Sequence, residues 1–397
     1  MSEQLINLNT DLTRLRAEGF DVQILSGLLL LRHVPYVTSK RSVAYGILAC
    51  PLDLSGEKTI RPSNHKAQWD GEFPCFPDGT ALEALRHEQI NQKISDTITL
   101  RFSFSNKPKE GYADFFEKMS RYTDMISAQA TAIEPTATAK AFHPIATSES
   151  ESVFCFADTA TSRAGITDIN NKLAGQSIGI IGLGGTGASI LDHVSKTPVD
   201  TIYLFDGDDF LSHNAFRIPG AASLDELAEK PTKVDYFARR YAHFRHGIVP
   251  HACFIRRDNL SLLDNLDFVF VCVDSGQVRK LVGDHLSAKD IPFIDVGMGL
   301  NIQNGKILGS VRTTISAPGH RDAAAARIPM VDSDVDNAYT TNIQVAELNA
   351  LNAIHAVIRW KKFFGFYGDQ LNEVQSVYTV EDNDLVNIEN EPDQLSE

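Results

Sequence analysis

The stretch "IIGLGGTG", Ile180–Gly187, decides the fold. It reads as a buried strand running into a glycine-rich turn, and "TGASILDHVSKT" continues it as a helix. Gly182-x-Gly184-x-x-Gly187 in that context is the layout of a phosphate-cradling βα turn. The first glycine permits the tight turn, and the second lets the backbone approach a phosphate. The helix N-terminus supplies unpaired N–H groups and a partial positive charge. Asp206 closes the next strand, "VDTIYLFD", nineteen residues after Gly187. A carboxylate at that place bonds both hydroxyls of a ribose. The glycine loop alone does not separate NAD from ATP, because both carry ribose and phosphate.

Outward from this stretch, residues 173–310 alternate strand and helix. The strands include "LDFVFVCVD" and "IPFIDVGM", and the helices "KVDYFARRYAHF" and "GQVRKLVGDHLSAKD". Such alternation predicts an α/β fold with a doubly wound, mostly parallel, Rossmann-like sheet covered on both faces. Residues 1 to about 130 read differently. "LTRLRAEGF" and "YADFFEKMSRYTDMISAQA" are helical, while "VQILSGLLLLRHV", "VAYGILACPLDL" and "ITLRFSFS" are strands, with a turn at Ser26–Gly27. This block is α+β with no repeating βαβ unit. A small, polar, Pro-containing stretch over 131–172 reads as a connection. The expected organisation is an N-terminal α+β domain with linker over 1–150, a nucleotide-binding domain over 151–372, and an acidic, mostly frayed tail over 373–397. A long amphipathic helix is expected from Asn342 to Phe363, with Leu348, Leu351, Ile354 and Ile358 lining one face, for core or dimer packing.

Composition limits the classes of function. The chain has 397 residues, 43% hydrophobic and 22% charged, and a formal net charge of −14. That charge argues against nucleic-acid binding through a basic surface. The cysteines are five, Cys50, Cys75, Cys155, Cys253 and Cys272, scattered and without a C-x-x-C pair. They indicate neither a disulfide framework nor a zinc site. The opening residues lack a signal-peptide layout, and "ILSGLLLL" is too short for a membrane span. A cytoplasmic protein with no membrane partner is the expectation.

The charges after Asp206 favour ATP. Hydride transfer needs no cations beyond the glycine loop, whereas nucleotidyl transfer builds charge on phosphate oxygens. "FDGDDFLSHNAFR" supplies Asp208, Asn214 and Arg217, and "EKPTKVDYF" supplies Lys230 and Lys233 at a helix start. "VCVDSGQVR" ends a strand in Asp274, with Arg279 five residues later. A carboxylate at a strand's C-terminal end suits Mg²⁺, which takes one or two carboxylates plus phosphates. In a doubly wound sheet these strand ends share one crevice.

Residues 163 to about 360 resemble the ThiF-type adenylyltransferase superfamily, which holds the ubiquitin-activating enzymes and the sulfur-carrier adenylating enzymes of molybdopterin and thiamine synthesis. The family pattern is G-x-G-G-x-G, D-x-D-x(5)-N-x-x-R, a Lys opening a helix, and D-x(4)-R. Here it falls on Gly182, Gly184, Gly185 and Gly187, with Thr186 between; on Asp206, Asp208, Asn214 and Arg217; on Lys233; and on Asp274 with Arg279. "NAFRIPG" departs from the common "NLNRQ", and the extra Thr232 leaves Lys230 as an alternative to Lys233. The resemblance implies that Asp206 binds the ribose, that Asn214, Arg217 and Lys233 hold the phosphates, and that Asp274 holds Mg²⁺. It also implies a homodimer in which the partner supplies an arginine, for which Arg163 is the candidate. The implied chemistry is adenylation of the C-terminal carboxylate of a ubiquitin-like protein by ATP. The N-terminal block resembles an uncharacterised domain found ahead of ThiF-type modules in bacterial ubiquitin-like conjugation operons. That implies recruitment of the ubiquitin-like protein or of a conjugating-type enzyme.

Ubiquitin-activating enzymes pass the acyl group to a cysteine in the crossover after the sheet. This chain has no cysteine beyond Cys272, which lies in an apolar strand. Direct transfer, an ester on Ser310, Ser316, Ser333, Thr340 or Thr341 near His320, or use of Cys75 remain as routes. "HKAQWDGEFPCFPDGTAL", His65–Leu82, reads as a loop anchored by Trp69 and Phe73 rather than a His–Cys site. The rival functions are adenylation of a peptide or modified RNA base, a non-catalytic nucleotide-binding module, and an NAD-dependent dehydrogenase.

Overall fold

The structure is a computed structural model that describes residues 2–147, 149–150, 152–330 and 343–389. The chain forms two compact units, which divide after Thr167.

The first unit opens with α1 (Ser2–Leu8) and α2 (Thr10–Ala17). Its strands are β1 (Asp21–Leu25), β2 (Leu28–Val37), β3 (Val43–Pro51), the small β4 (Leu54–Ser55) and β5 (Lys58–Thr59), β6 (Lys66–Asp70), β7 (Arg86–Lys93) and β8 (Thr99–Ser105). Helices α3 (Phe115–Thr131) and α4 (Thr159–Ala164) complete it. Six strands form one sheet in the order β1-β2-β3-β6-β8-β7, and every neighbouring pair in it is antiparallel. Ser26 and Gly27 both have positive φ, 52° and 74°, as a two-residue turn between β1 and β2 requires. Strand β7 was not legible in the sequence, because "RHEQINQK" carries almost no apolar residue to alternate. Asp114 caps α3 by accepting from the Glu117 N–H, and Glu117 accepts in return from Ala113. The core packs Trp69, Phe104, Tyr122 and Met119 between helix and sheet.

The second unit follows the short α5 (Thr167–Asn170). Its strands are β9 (Ser177–Ile181), β10 (Thr201–Phe205), β11 (Ile248–His251), β12 (Phe268–Val271), β13 (Phe293–Gln303), β14 (Lys306–Ser316), β15 (Glu373–Thr379) and β16 (Asp384–Glu389). Its helices are α6 (Gly185–Val194), α7 (Ser212–Ala215), α8 (Leu224–Ala228), α9 (Lys233–Tyr241), α10 (Gly276–Ala288), α11 (Arg321–Ala325) and α12 (Ala346–Phe363). The eight strands lie in the order β11-β10-β9-β12-β13-β14-β15-β16. The first five are parallel neighbours, and the last three add antiparallel. The expected α/β, doubly wound, mostly parallel fold behind a smaller α+β domain is what forms. The central strands read as apolar runs because both faces are covered. Ile178, Ile180, Phe268 and Phe270 face the side with α6, α9 and α12. Val269, Val271 and Phe293 face Val282 and Leu286 of α10. The chain passes from β9 to β10 on one side, and β12 lies on the other. This makes a topological switch point at the C-terminal end of β9.

One expectation is corrected. The frayed tail from residue 373 is instead the β15–β16 hairpin, with β15 paired onto β14. Glu373, Val374 and Gln375 are buried in it. Its acidic residues sit among strand residues such as Val377 and Tyr378, and the sequence reading weighted the charge over the pattern. Residues 390–397 of that tail lie outside the described residues. On α12, Leu348 is buried, but Ile354 and Ile358 are 39% and 38% exposed. The buried face is Asn349, Asn352, Ala353, Ala356 and Trp360. Small and amide side chains let α12 approach α6 and the sheet closely, and Trp360 fills the space against Phe270. Trp360→Ala is expected to destabilise the second unit by about 3–5 kcal/mol through the cavity it leaves. Amide exchange of β9 and β12 should quicken by roughly two to three orders of magnitude; less than fivefold would contradict this role.

Candidate active site

The glycine loop is shaped by close contacts. Gly182 has φ 89°, and a side chain there would stand 2.7 Å from the Cys272 carbonyl oxygen. A side chain on Gly187 would strike the Gly182 carbonyl oxygen. Gly185 faces the Asn349 amide of α12, and next to it Thr186 Oγ1 donates to Asn349 Oδ1 at 2.8 Å. Gly184 alone faces open space. It precedes α6, whose first N–H groups have no intrahelical partner.

Asp206 ties this loop to the next one. Its buried carboxylate accepts from the Leu183 N–H at 2.7 Å and from the Asp208 N–H at 2.9 Å. Lys233, the first residue of α9 and also buried, brings Nζ to 3.5 Å from Asp206 and 2.6 Å from Asp208. Thr232 caps α9 by accepting from the Asp235 N–H. The extra residue noted in the sequence is therefore the helix cap, and Lys233 lies inside the helix. Lys230 is exposed, with φ 48°.

An open cavity of about 330 Å³ lies over the strand ends, lined by Gly182, Gly184, Asp206, Arg217, Lys233 and Asp274, among others. Asp208 reaches it as well. Arg217 and Asp274 make no ion pair among the described residues, and the Arg217 Nε is buried without a hydrogen-bond partner. Asn214 is buried on α7, where its Oδ1 accepts from the Leu211 N–H; it is not part of the cavity wall. Arg163 is exposed on α4 of the first unit. The apolar wall was missed in the sequence. "IVPHACFI" reads as one strand, but β11 ends at His251, and Cys253, Phe254 and Ile255 turn to the cavity. Gly207 makes room for Phe254, whose ring lies 2.6 Å from where a side chain would start. A smaller side cavity of about 60 Å³ adjoins, lined by Thr186, Asp274, Arg279, Gly297, Met298 and Gln344, among others.

Arg279 is not free. Its Nε lies 3.2 Å from Asp295 Oδ1, and Arg312 Nη2 approaches Asp295 Oδ2 at 2.5 Å. Asp295 is fully buried. Burial pushes its carboxyl up, and Arg312 and then Arg279 pull it back. Removing one member of such a buried group leaves an uncompensated charge and costs about 3–5 kcal/mol.

The expected acyl acceptors fare poorly. Cys75 is buried in the first unit's core, where burial raises its thiol above the usual range. His65 bonds Ser105 at 3.1 Å, whereas Cys75 donates to the Phe73 carbonyl. Cys272 lines the main cavity, but burial and then the Asp295 charge raise its thiol. Ser316 is buried in β14, and His320 is buried against Asn372 rather than solvated in a loop. Ser310 is half-buried in β14; Ser333, Thr340 and Thr341 lie outside the described residues. Among the described residues no cluster of His, Cys, Asp or Glu is built to hold a metal by itself. No described helix is long and apolar enough to cross a membrane.

Comparison with known proteins gives two family matches. The ThiF family matches over residues 159–377, and a domain of unknown function, DUF6791, over residues 10–159. No curated protein matches the chain. Among solved structures, that of PaaA is similar over 56% of this chain at 19% identity, with a TM-score of 0.44. The chain spans 66% of that protein. Escherichia coli MccB with MccA is similar over 60% of this chain and 73% of MccB, at 16% identity and a TM-score of 0.47. The same protein with ATP is similar over 58% and 68%, at 16% identity and a TM-score of 0.45.

The raised thiols carry a prediction. Cys50, pushed up to about 11 by burial, stays protonated with Cys75 and Cys272 at pH 8. Native protein treated with iodoacetamide at pH 8 should label Cys155 first, by at least tenfold over those three, as read by peptide mass spectrometry. Rapid labelling of Cys272 would contradict the burial argument.

Proposed function

From the premise that this chain belongs to the ThiF family, we propose that it adenylates the C-terminal carboxylate of a ubiquitin-like protein with ATP. The observation that carries this reading is the meeting of Arg217, Lys233 and Asp274 with the glycine loop around one cavity. A scaffold or a hydride-transfer site has no use for two cations and an unpaired carboxylate there.

The ribose hydroxyls bond Asp206, whose oxygens each accept one backbone N–H; Oδ2 also accepts from Lys233 Nζ at 3.5 Å, and Oδ1 keeps a second lone pair. The phosphates lie along Gly184 and the first turn of α6. Arg217 and Lys233 draw the phosphate oxygens; Lys233 keeps one N–H group beyond its bonds to Asp208 and Asp206. The base rests on the wall of Phe254 and Ile255. One oxygen of the substrate carboxylate attacks the α-phosphorus. The bond to the bridging oxygen breaks, and that electron pair leaves on pyrophosphate. No enzyme base is needed, since the nucleophile is already ionised, so the protein's work is positioning and charge neutralisation. Asp274 suits Mg²⁺, since it is exposed, unpaired and on the cavity wall. The ion would add charge neutralisation at the phosphates.

The ubiquitin-like substrate is supported by the N-terminal block's resemblance to a domain that precedes ThiF-type modules in ubiquitin-like conjugation operons. The first unit then recruits that protein or a conjugating-type enzyme. The acyl group moves on without a crossover cysteine. The enzyme works as a homodimer, with Arg163 reaching the partner's phosphates. The three parts are the first 150 residues, a ThiF domain over 151–372 and the acidic segment after it.

The test is exchange of labelled pyrophosphate into ATP, driven by glycine-terminated ubiquitin-like proteins. Asp274→Ala should lower exchange at least a hundredfold and Arg217→Ala at least tenfold, with unchanged circular dichroism. Absence of exchange with every such protein, or full activity in Asp274→Ala, contradicts the proposal.

A further inference from the structure

Arg279 and the side cavity are left over once the nucleotide is accounted for. Arg217 and Lys233 line only the main cavity, and Arg279 lines only the side cavity. Asp274 and Gln344 line both. The two spaces therefore meet at Asp274. The guanidinium of Arg279 is mostly buried, 13% exposed, and Asp295 is its one side-chain partner among the described residues. Asp295 Oδ1 lies 3.2 Å from the Nε without hydrogen-bonding it, and among the described residues neither Nη group has a hydrogen-bond acceptor. A buried guanidinium with unused donors on a cavity wall calls for a ligand with oxygen acceptors.

The adenylation reading needs such a group. The nucleophile is an anion that must approach an anionic phosphate, and the two cations of the main cavity serve the phosphates. A third cation on the approach side offsets that repulsion. Resting on that reading, we propose that Arg279 receives the substrate's terminal carboxylate in the side cavity, and that Asp295 is the residue that positions it. Arg312 is the second arm of the clamp. It holds Asp295 Oδ2 while its Nη1 donates to Thr314 at 2.7 Å, leaving Asp295 Oδ1 to face Arg279. Gly297 has no side chain because Arg312 lies across it, 2.8 Å from where one would start. With about 60 Å³ between Thr186, Gly297 and Met298, the cavity takes a small terminal residue such as glycine.

The experiment loads the full chain with Mg²⁺ and the unreactive analogue α,β-methylene-ATP. Three hexapeptides are then titrated by calorimetry: one ending in Gly-Gly with a free carboxylate, its C-terminal amide, and one ending in Gly-Leu with a free carboxylate. Wild type should bind the Gly-Gly acid at least tenfold tighter than the amide or the leucine peptide. R279Q should erase the acid-over-amide preference while keeping analogue affinity within twofold. D295N should weaken acid binding at least tenfold, and D295E should restore most of it, a rescue that a merely structural role would not give. The wild-type comparison of acid with amide keeps the test decisive if D295N or R279Q fails to fold. Equal binding of acid and amide by wild type, or a preference that survives R279Q, overturns the proposal and leaves the nucleotide reading standing. Loss of the analogue in R279Q makes Arg279 a phosphate ligand and also overturns it. If wild type does not bind the analogue, the adenylation reading itself fails, and this proposal with it.

Discussion

The buried carboxylate of Asp206 is the point on which the second unit's chemistry depends. It takes the Leu183 N–H from the glycine loop and the Asp208 N–H from the loop after β10, and it faces Lys233 from α9. Three segments far apart in sequence are thereby fixed to the end of one strand. A buried carboxylate is costly unless its charge is met, and these partners meet it. The switch point between β9 and β12 supplies the crevice, and the Asp206 contacts set what faces into it.

Much of this was legible in the sequence, and for physical reasons. The parallel strands are buried on both faces, so they appear as apolar runs. Gly182 and Gly187 are required by contacts with backbone oxygens, and glycine is the one residue without the atom that would collide. The site's charged residues fall at strand ends and loop starts, where topology rather than long-range packing brings them together. Arg217, Lys233 and Asp274 accordingly share one cavity. The choice between Lys230 and Lys233 was open from spacing. It becomes readable once Thr232 is seen as the cap of α9, since that puts Lys233 in the helix and turns it inward.

What the sequence hid depends on partners far along the chain. Arg279 reads as a crevice charge paired in sequence with Asp274, and Asp295 as part of the apolar strand "IPFIDVGM"; neither announces the other. The β15–β16 hairpin escaped because its acidic residues resemble those of a solvated tail. The inward face of α12 was not assigned in the sequence, because close packing against α6 favours Asn349, Ala353 and Ala356 over the larger Ile354 and Ile358. Close approach favours small side chains, which hydrophobic periodicity does not count. Cys272 could be discounted from either side: it lies in an apolar run, and in the structure burial raises its thiol beside the very cavity where a nucleophile would be wanted.

The central claim is that this crevice is built for the triphosphate of ATP rather than for a dinucleotide. Calorimetric titration of the full chain with Mg²⁺–ATP and, separately, with NAD⁺ tests it most directly. One ATP should bind per chain, with an affinity that falls at least tenfold in Lys233→Ala, and NAD⁺ should give no saturable heat. Saturable NAD⁺ binding without ATP binding would contradict the claim and return the glycine loop to a redox cofactor.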